Sequence, residues 1–369
     1  MILDLSALVR ILTTSLVILW LVSYFIVNPL SMTLSYAISF LITILMIYSP
    51  PRDSLMLYWC LLIWSLVALA IFIVSRTYYL TQSFGVITII LNIWIGIALA
   101  RFGAFFSLLR IIFVAFCLYT LYELMINQIN PNSLLTASQN HISIVVLSLL
   151  AISNLDNIQQ GKLNSNYVYL TTLVCIIALG RAGIITGIFI LLSVSGYNLY
   201  HSKAKQARKF LAVILFMLCA AIIFIYLAQQ GFFQKFIISA LNSSNRTMLI
   251  SEYFDSFSIY EFFLGRDVNF ARDIDPRLSI HNSYLGIHMV SGFAGIMLIY
   301  SCIALLLPLA RKNLLASAVI IAILVRALTD NFLFTYHFIS GSVVLSIFFQ
   351  ELWSIGKNNI YKLKRRDVL

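Results

Sequence analysis

The chain has 369 residues, of which 61% are hydrophobic and 10% charged, and its mean hydropathy is +0.97. A water-soluble globular domain of that composition would have too few polar groups to cover its surface, which excludes an ordinary soluble enzyme. The formal net charge of +11 occurs without a basic-aromatic groove or a nucleic-acid motif, so no nucleic-acid partner is expected.

Apolar runs close to the roughly 20 residues that a helix needs to cross a bilayer recur along the sequence. Spans are predicted near residues 7–27, 30–48, 55–74, 84–101, 104–126, 141–154, 167–180, 184–200, 210–228, 284–308, 313–329 and 332–353. The first is too long for a signal peptide and lacks a small-residue cleavage site, so it reads as a retained helix. The apolar stretch 167–200 is divided at "LGRAG", because Gly180, Arg181 and Gly183 fit poorly at mid-bilayer depth. The short alternating segments of a β-barrel do not occur. The expected fold class is all-α: a polytopic transmembrane bundle of about 12 spans with one large external loop. Three segments follow: residues 1–228 with nine spans, the loop 229–283, and 284–369 with three spans and a basic tail.

Orientation comes from lysine and arginine near the span ends. The tail "KNNIYKLKRRD" and the loop "HSKAKQARK" place both termini in the cytoplasm. Of the 24 basic residues, 16 then lie inside and 8 outside. Lys235 is the one lysine outside, beside Arg76, Arg181, Arg246, Arg266, Arg272, Arg277 and Arg326. A guanidinium fork grips two phosphate oxygens at once, whereas an ammonium is a point charge, so this bias points to an anionic ligand outside. Simple snorkelling and pairing with carboxylates is the alternative; Arg326 and Asp330, four residues apart, are expected to pair.

The loop 229–283 is the largest polar segment. In "RTMLISEYFDSFSIYEFF", Leu249, Tyr253, Phe254, Phe257 and Tyr260 recur at helical spacing between Glu252, Asp255 and Ser258. That pattern predicts an amphipathic helix lying on the bilayer surface as a lid or a plain cap. His281 ends the loop, with Asn282 and Ser283 placed to cap the next helix. The positive end of that helix disfavours imidazolium and favours a nearby anion. Gly292 and Gly295, with Ser291 and Ala294, form a small-residue face for a neighbouring helix. His288, seven residues after His281, is read as packing or cavity lining. The five cysteines sit inside apolar spans without metal-ligand spacing, so neither a disulfide framework nor a metal site is expected.

His281-Asn282 is followed by nine residues, Gly292, two residues and Gly295. This spacing resembles the signature of bacterial O-antigen ligases and, more loosely, the related polymerases. "SQNHIS", with Asn140, resembles that superfamily's Arg-Asn stretch, with Gln139 for Arg; "LGRAGIITG" resembles its Ser-Arg hairpin, with Gly180 for Ser. "NRTMLISEYFDSFSIYEFFLGRD" resembles its arginine-led amphipathic helix, and Ile296 replaces a threonine after the second glycine. The resemblance covers roughly residues 135–300. It implies an integral membrane glycosyltransferase acting on undecaprenyl-diphosphate-linked glycan at the periplasmic face of the bacterial inner membrane. It makes His281 the candidate catalytic base and Arg181 and Arg246 candidate diphosphate ligands; Arg266, Arg272 and Arg277 join them as candidates from the arginine bias outside. Asn282, Gly292, Gly295 and Asn140 are supporting residues. No cofactor or metal is expected; membrane lipids, a chain-length regulator and a flippase are the candidate partners. The departures favour polymerase over ligase. A flippase is the alternative from another class, though paired half-repeats and mid-membrane ionisable residues are sparse.

Overall fold

The computed structural model describes residues 4–25, 29–50, 55–79, 85–135, 139–178, 180–201, 244–267, 269–270, 282–330, 333–334 and 339–352. No strand occurs among them. In chain order the helices are α1 (Leu5–Phe25), α2 (Pro29–Tyr48), α3 (Leu55–Tyr79), α4 (Gly85–Phe102) and α5 (Phe106–Met125). The short α6 (Pro131–Leu134) leads to α7 (Gln139–Ser153), α8 (Leu155–Gln159), α9 (Ser165–Ile177) and α10 (Arg181–His201). After the undescribed residues come α11 (Ser244–Asp255), α12 (Ile259–Leu264), α13 (Ser283–Lys312), α14 (Leu314–Ala327) and α15 (Ser340–Leu352).

Among the described residues, α1 to α5, α10 and α13 are the seven helices long and apolar enough to cross a membrane, while α7, α9, α14 and α15 are shorter apolar helices. The division at "LGRAG" is present: α9 ends at Ile177 and α10 starts at Arg181. The last apolar run turns helical later than its hydropathy suggests, at Ser340 rather than 332. Phe334 adopts φ 60°, and its ring fills the space where a side chain on Gly341 would stand, 2.3 Å from the would-be Cβ. The run expected at 210–228 lies outside the described residues.

Helix α4 is buried on nearly every side, as expected of a helix that is apolar all round. With α7, α14 and α15 it forms the centre of the bundle. Phe40 on α2, Ile63 on α3 and Ile111 on α5 are exposed, the surface that lipid would cover. Polar side chains inside the bundle bond locally or bridge helices. The Thr13 hydroxyl donates to the Val9 carbonyl (2.9 Å), and Ser342 on α15 donates to Asn92 Oδ1 on α4 (2.8 Å). In hydrocarbon such groups have no water to turn to.

The two ends of the bundle differ. At one end, Asn313 donates to the Ile158 carbonyl (2.8 Å), Arg110 pairs with Asp156 (3.4 Å) and Lys312 with Glu351. At the opposite ends of α13 and α14 lie Ser283 and Arg326. There α7, α10 and α13 all begin, and α14 finishes.

Among the described residues, the stretch expected as one amphipathic helix forms two. Ser258, read as part of a polar face, is the N-cap of α12: its hydroxyl accepts from Glu261 N (3.2 Å), and Glu261 accepts from Ser258 N (2.8 Å). This reciprocal box starts a new helix and ends the old one. Leu249 and Tyr253 turn inward, while Phe254, Ile259 and Tyr260 stay exposed.

Candidate functional site

Three stretches far apart in sequence meet at the end where α7, α10 and α13 begin. The first turn of α10 lies directly on that of α7: a Cβ on Gly183 would stand 2.4 Å from the Cβ of Ser143. Any larger residue would force the two helix starts apart. The Asn140 carbonyl, in the first turn of α7, accepts from the Ser143 hydroxyl (2.8 Å) and from Arg326 Nη2 (3.2 Å). Arg326 closes α14 and is only 1% exposed. Its Nη1 meets Asp330 Oδ2 and the Thr329 hydroxyl, the i,i+4 pair expected from the sequence. Its Nε is buried with no hydrogen-bond partner among the described residues.

Helix α13 is tied to the same cluster. Asn282 caps it as expected, its Oδ1 accepting from Tyr284 N (2.9 Å) and Leu285 N (3.2 Å). Ser283 does something else. Its hydroxyl donates to the Asp330 carbonyl (2.6 Å) and accepts from Leu333 N (3.0 Å), so it fastens α13 to the end of α14. The Tyr284 hydroxyl adds a bond to the Leu324 carbonyl (2.8 Å). Three helix N-termini thus gather at the end of the bundle where this buried arginine lies, and each carries a partial positive charge. Such an arrangement suits an anion.

Below the cap, α13 breaks. Gly292 has φ 54° and ψ −134°, outside helical geometry, and the loop inserts there. A Cβ on Gly292 would lie 2.1 Å from the Phe263 carbonyl oxygen, and one on Gly265 (φ 86°) would lie 2.4 Å from the Met289 carbonyl oxygen. Arg266 N donates to the Met289 carbonyl (3.0 Å), a backbone bond between loop and broken helix. Gly292 was expected to let a neighbouring helix approach closely; the neighbour is the last turn of α12, the short helix of the loop, followed by Gly265. Gly295 is likewise enclosed by its own helix, through Ser291 and Ile287, while α3 reaches the adjacent turn through Trp64 Nε1, which donates to the Ala294 carbonyl (3.2 Å).

His288 and Arg266 hold the loop on this break. The Phe262 carbonyl can only accept, so His288 Nε2–H donates to it (3.3 Å), and Nδ1 of the neutral ring accepts from the Tyr253 hydroxyl (2.6 Å). Arg266, expected as a diphosphate ligand, is 7% exposed and bound within its own loop. Its Nε meets Glu261 (3.1 Å), Nη1 donates to the Tyr253 carbonyl (2.7 Å), Nη2 to the Ser256 hydroxyl (2.6 Å), and the guanidinium lies 3.7 Å from the Phe270 ring centroid. With every nitrogen engaged and one face stacked, it is a strut of the loop rather than a free fork for phosphate.

Of the other predicted site residues, Arg181 heads α10 and Arg246 lies in the first turn of α11; their side chains are outside the described residues, as are His281, Arg272 and Arg277. Asn140, Asn282, Gly292 and Gly295 stand where given above. The sequence reading missed the Tyr253–His288 bond, because 35 residues separate the partners. It also left Arg326 as a peripheral pair; a charged residue four places from a carboxylate at a span end was the available signal. No group of three metal-type ligands occurs among the described residues. No protein-family model, curated protein or solved structure matches the chain.

Proposed function

We propose that the chain is an O-antigen polymerase of the inner membrane, with twelve spans, both termini cytoplasmic and its site periplasmic. It joins undecaprenyl-diphosphate-linked oligosaccharide repeat units. One observation supports this above others. Asn140, Gly183 and Asn282, which sit in three of the four stretches resembling the polymerase and ligase superfamily, lie at helix starts gathered at one end of the bundle, with the buried Arg326 bonded to the Asn140 carbonyl.

The chemistry follows from the residues heading those helices. His281, next to the capped start of α13, takes the proton from an acceptor sugar hydroxyl. The freed oxygen bonds to the anomeric carbon of the donor glycan as the bond from that carbon to the diphosphate oxygen breaks. Undecaprenyl diphosphate leaves with the electron pair. Arg181 and Arg246, with the N-terminus of α10, meet the negative charge that grows on the leaving group, stabilising the transition state more than the ground state. The α11–α12 loop, clamped on α13 beside the site, covers it on the membrane face. A ligase acting by the same steps, with lipid A core as acceptor, is the second reading; the intact His-Asn, Gly292 and Gly295 spacing favours it.

The decisive experiment supplies purified protein with lipid-linked repeat units and measures polymer. His281→Ala is expected to lower the rate by about 10²–10⁴-fold with unchanged membrane insertion, while His337→Ala keeps the wild-type rate. Wild-type polymerisation by His281→Ala would withdraw the base assignment, and transfer to lipid A core without polymer would replace polymerase by ligase.

A further inference from the structure

At the opposite end of the bundle, a cleft of about 310 Å³ opens between the last turns of α10 and α13. Tyr197, Tyr200 and His201 form one wall, and Arg311, Lys312 and Leu314 the other. The aromatic wall is ordered from within: His201 Nδ1–H donates to the Tyr197 carbonyl (3.0 Å), and the Tyr197 and His201 rings lie 4.2 Å apart. Tyr200 is 81% exposed. Gly196, which also lines the cleft, leaves room on the α10 side: a Cβ there would find nothing within 4 Å.

The charges around it do not cancel. Lys312 is paired with Glu351, whereas Arg311 forms no ion pair among the described residues. Basic residues at the ends of α10 and α13 offset the negative helix termini, but that role needs neither a cleft nor an aromatic wall. Snorkelling explains a long cationic side chain, not the open space beside it.

The surroundings of the cleft are those of a lipid. Tyr300, Ile303 and Leu307 are exposed and share with Arg311 one face of α13, at spacings of three and four residues. An apolar track therefore runs down the helix from the guanidinium. Exposed Leu192 on α10 continues the apolar surface below the aromatic wall. Tyrosine rings favour the headgroup level of a bilayer, where one side is apolar and the other wet. Basic pockets between helices at the cytoplasmic surface suit lipid phosphates, and arginine binds two phosphate oxygens together.

We infer that this cleft binds the phosphodiester headgroup of an anionic membrane lipid, with the phosphate at Arg311 and an acyl chain along Ile303 and Leu307. The site is independent of the glycan chemistry proposed at the other end, and the test involves no turnover. The full-length protein in neutral detergent is given equal amounts of dioleoylphosphatidylglycerol and dioleoylphosphatidylcholine, and bound lipid is counted by native mass spectrometry. The wild type is expected to retain phosphatidylglycerol preferentially, and an excess of inorganic phosphate does not displace it. Arg311→Gln removes the charge; Gly196→Phe fills the cleft while leaving both cations. Each is expected to reduce retention about fivefold or more. Lys162→Gln, an exposed cation outside the cleft, leaves retention unchanged. Equal binding of both lipids to the wild type, or undiminished preference in either cleft variant, would overturn the lipid site. Displacement by inorganic phosphate would do so too, by identifying a soluble anion as the ligand.

Discussion

Gly265 and Gly292 are interlocked: the Cβ that Gly292 lacks would stand 2.7 Å from Gly265 N, and the one Gly265 lacks would stand 2.4 Å from the carbonyl oxygen of Met289. Both have positive φ, 86° and 54°, so a side chain at either is opposed by its own backbone as well as by its neighbour. The α11–α12 loop and the break in α13 are one joint.

Gly265→Ala and Gly292→Ala should each destabilise the protein by more than about 2 kcal/mol, combining unfavourable φ with steric contact. Thermal unfolding in detergent measures this. Gly196→Ala, at an open helical position, is the control and should be neutral or slightly stabilising.

Tyr253→Phe removes the hydroxyl and leaves His288 Nδ1 buried without its donor, which costs about 1–3 kcal/mol. The loss should be local. Hydrogen exchange across 244–264 is expected to quicken while α4 and α7 stay protected. Unchanged exchange in the loop would mean that the aromatic contacts alone hold it down.

Arg326 and Asp330 call for a double-mutant cycle. Arg326→Met or Asp330→Leu alone removes one partner of a buried ion pair, at a cost of about 3–5 kcal/mol. The pair of substitutions together should recover much of that stability but not polymerisation, if the charge also serves an anionic substrate. Full activity in the stable double variant would reduce Arg326 to a scaffold residue.

Arginines expected to act alike should separate under lysine substitution. Arg181→Lys and Arg246→Lys lose the fork but keep the charge, and should slow polymerisation by roughly ten- to more than a hundredfold with little loss of stability. Arg266→Lys breaks the bonds to Tyr253 and Ser256, so it should lower stability first and activity only through the loosened loop. Similar melting temperatures for all three variants would contradict this division.

Topology is checked by labelling. In a Cys60→Ser background, a cysteine replacing Tyr260, which is 66% exposed, and one replacing Ser202 are expected to react with an impermeant thiol reagent from opposite sides. Reaction from the same side would refute the twelve-span arrangement.

Length and hydropathy made the helices legible, because crossing hydrocarbon demands long apolar runs with internally satisfied backbones. Arg181 was legible as a breakpoint for the same reason, since charge and glycine together resist mid-bilayer depth. The joint between Gly265 and Gly292 was not. Both glycines were visible, but a close approach involves two partners, and the sequence pattern did not say that the approaching helix would be the short α12 of the loop. Arg266 shows the complementary difficulty: a guanidinium looks alike in sequence whether it binds a ligand or its own loop, and only Glu261, Tyr253 and Ser256 around it decide. The break at Ser258 was encoded locally, as serine followed three residues later by glutamate, yet the amphipathic spacing across it masked the signal.

The position of the break in α13 has a mechanical consequence. At about 1.5 Å per residue, the 20 residues 293–312 below Gly292 span about 30 Å, the thickness of a bilayer's hydrocarbon core. The ten residues 283–292 add about 15 Å that the hydrocarbon has no room for. The break at Gly292 therefore divides α13 into a lower limb matched to the hydrocarbon and an upper limb fastened to Asp330, Leu324 and the loop. A change in bilayer thickness is expected to tilt the lower limb while those bonds hold the upper one in place.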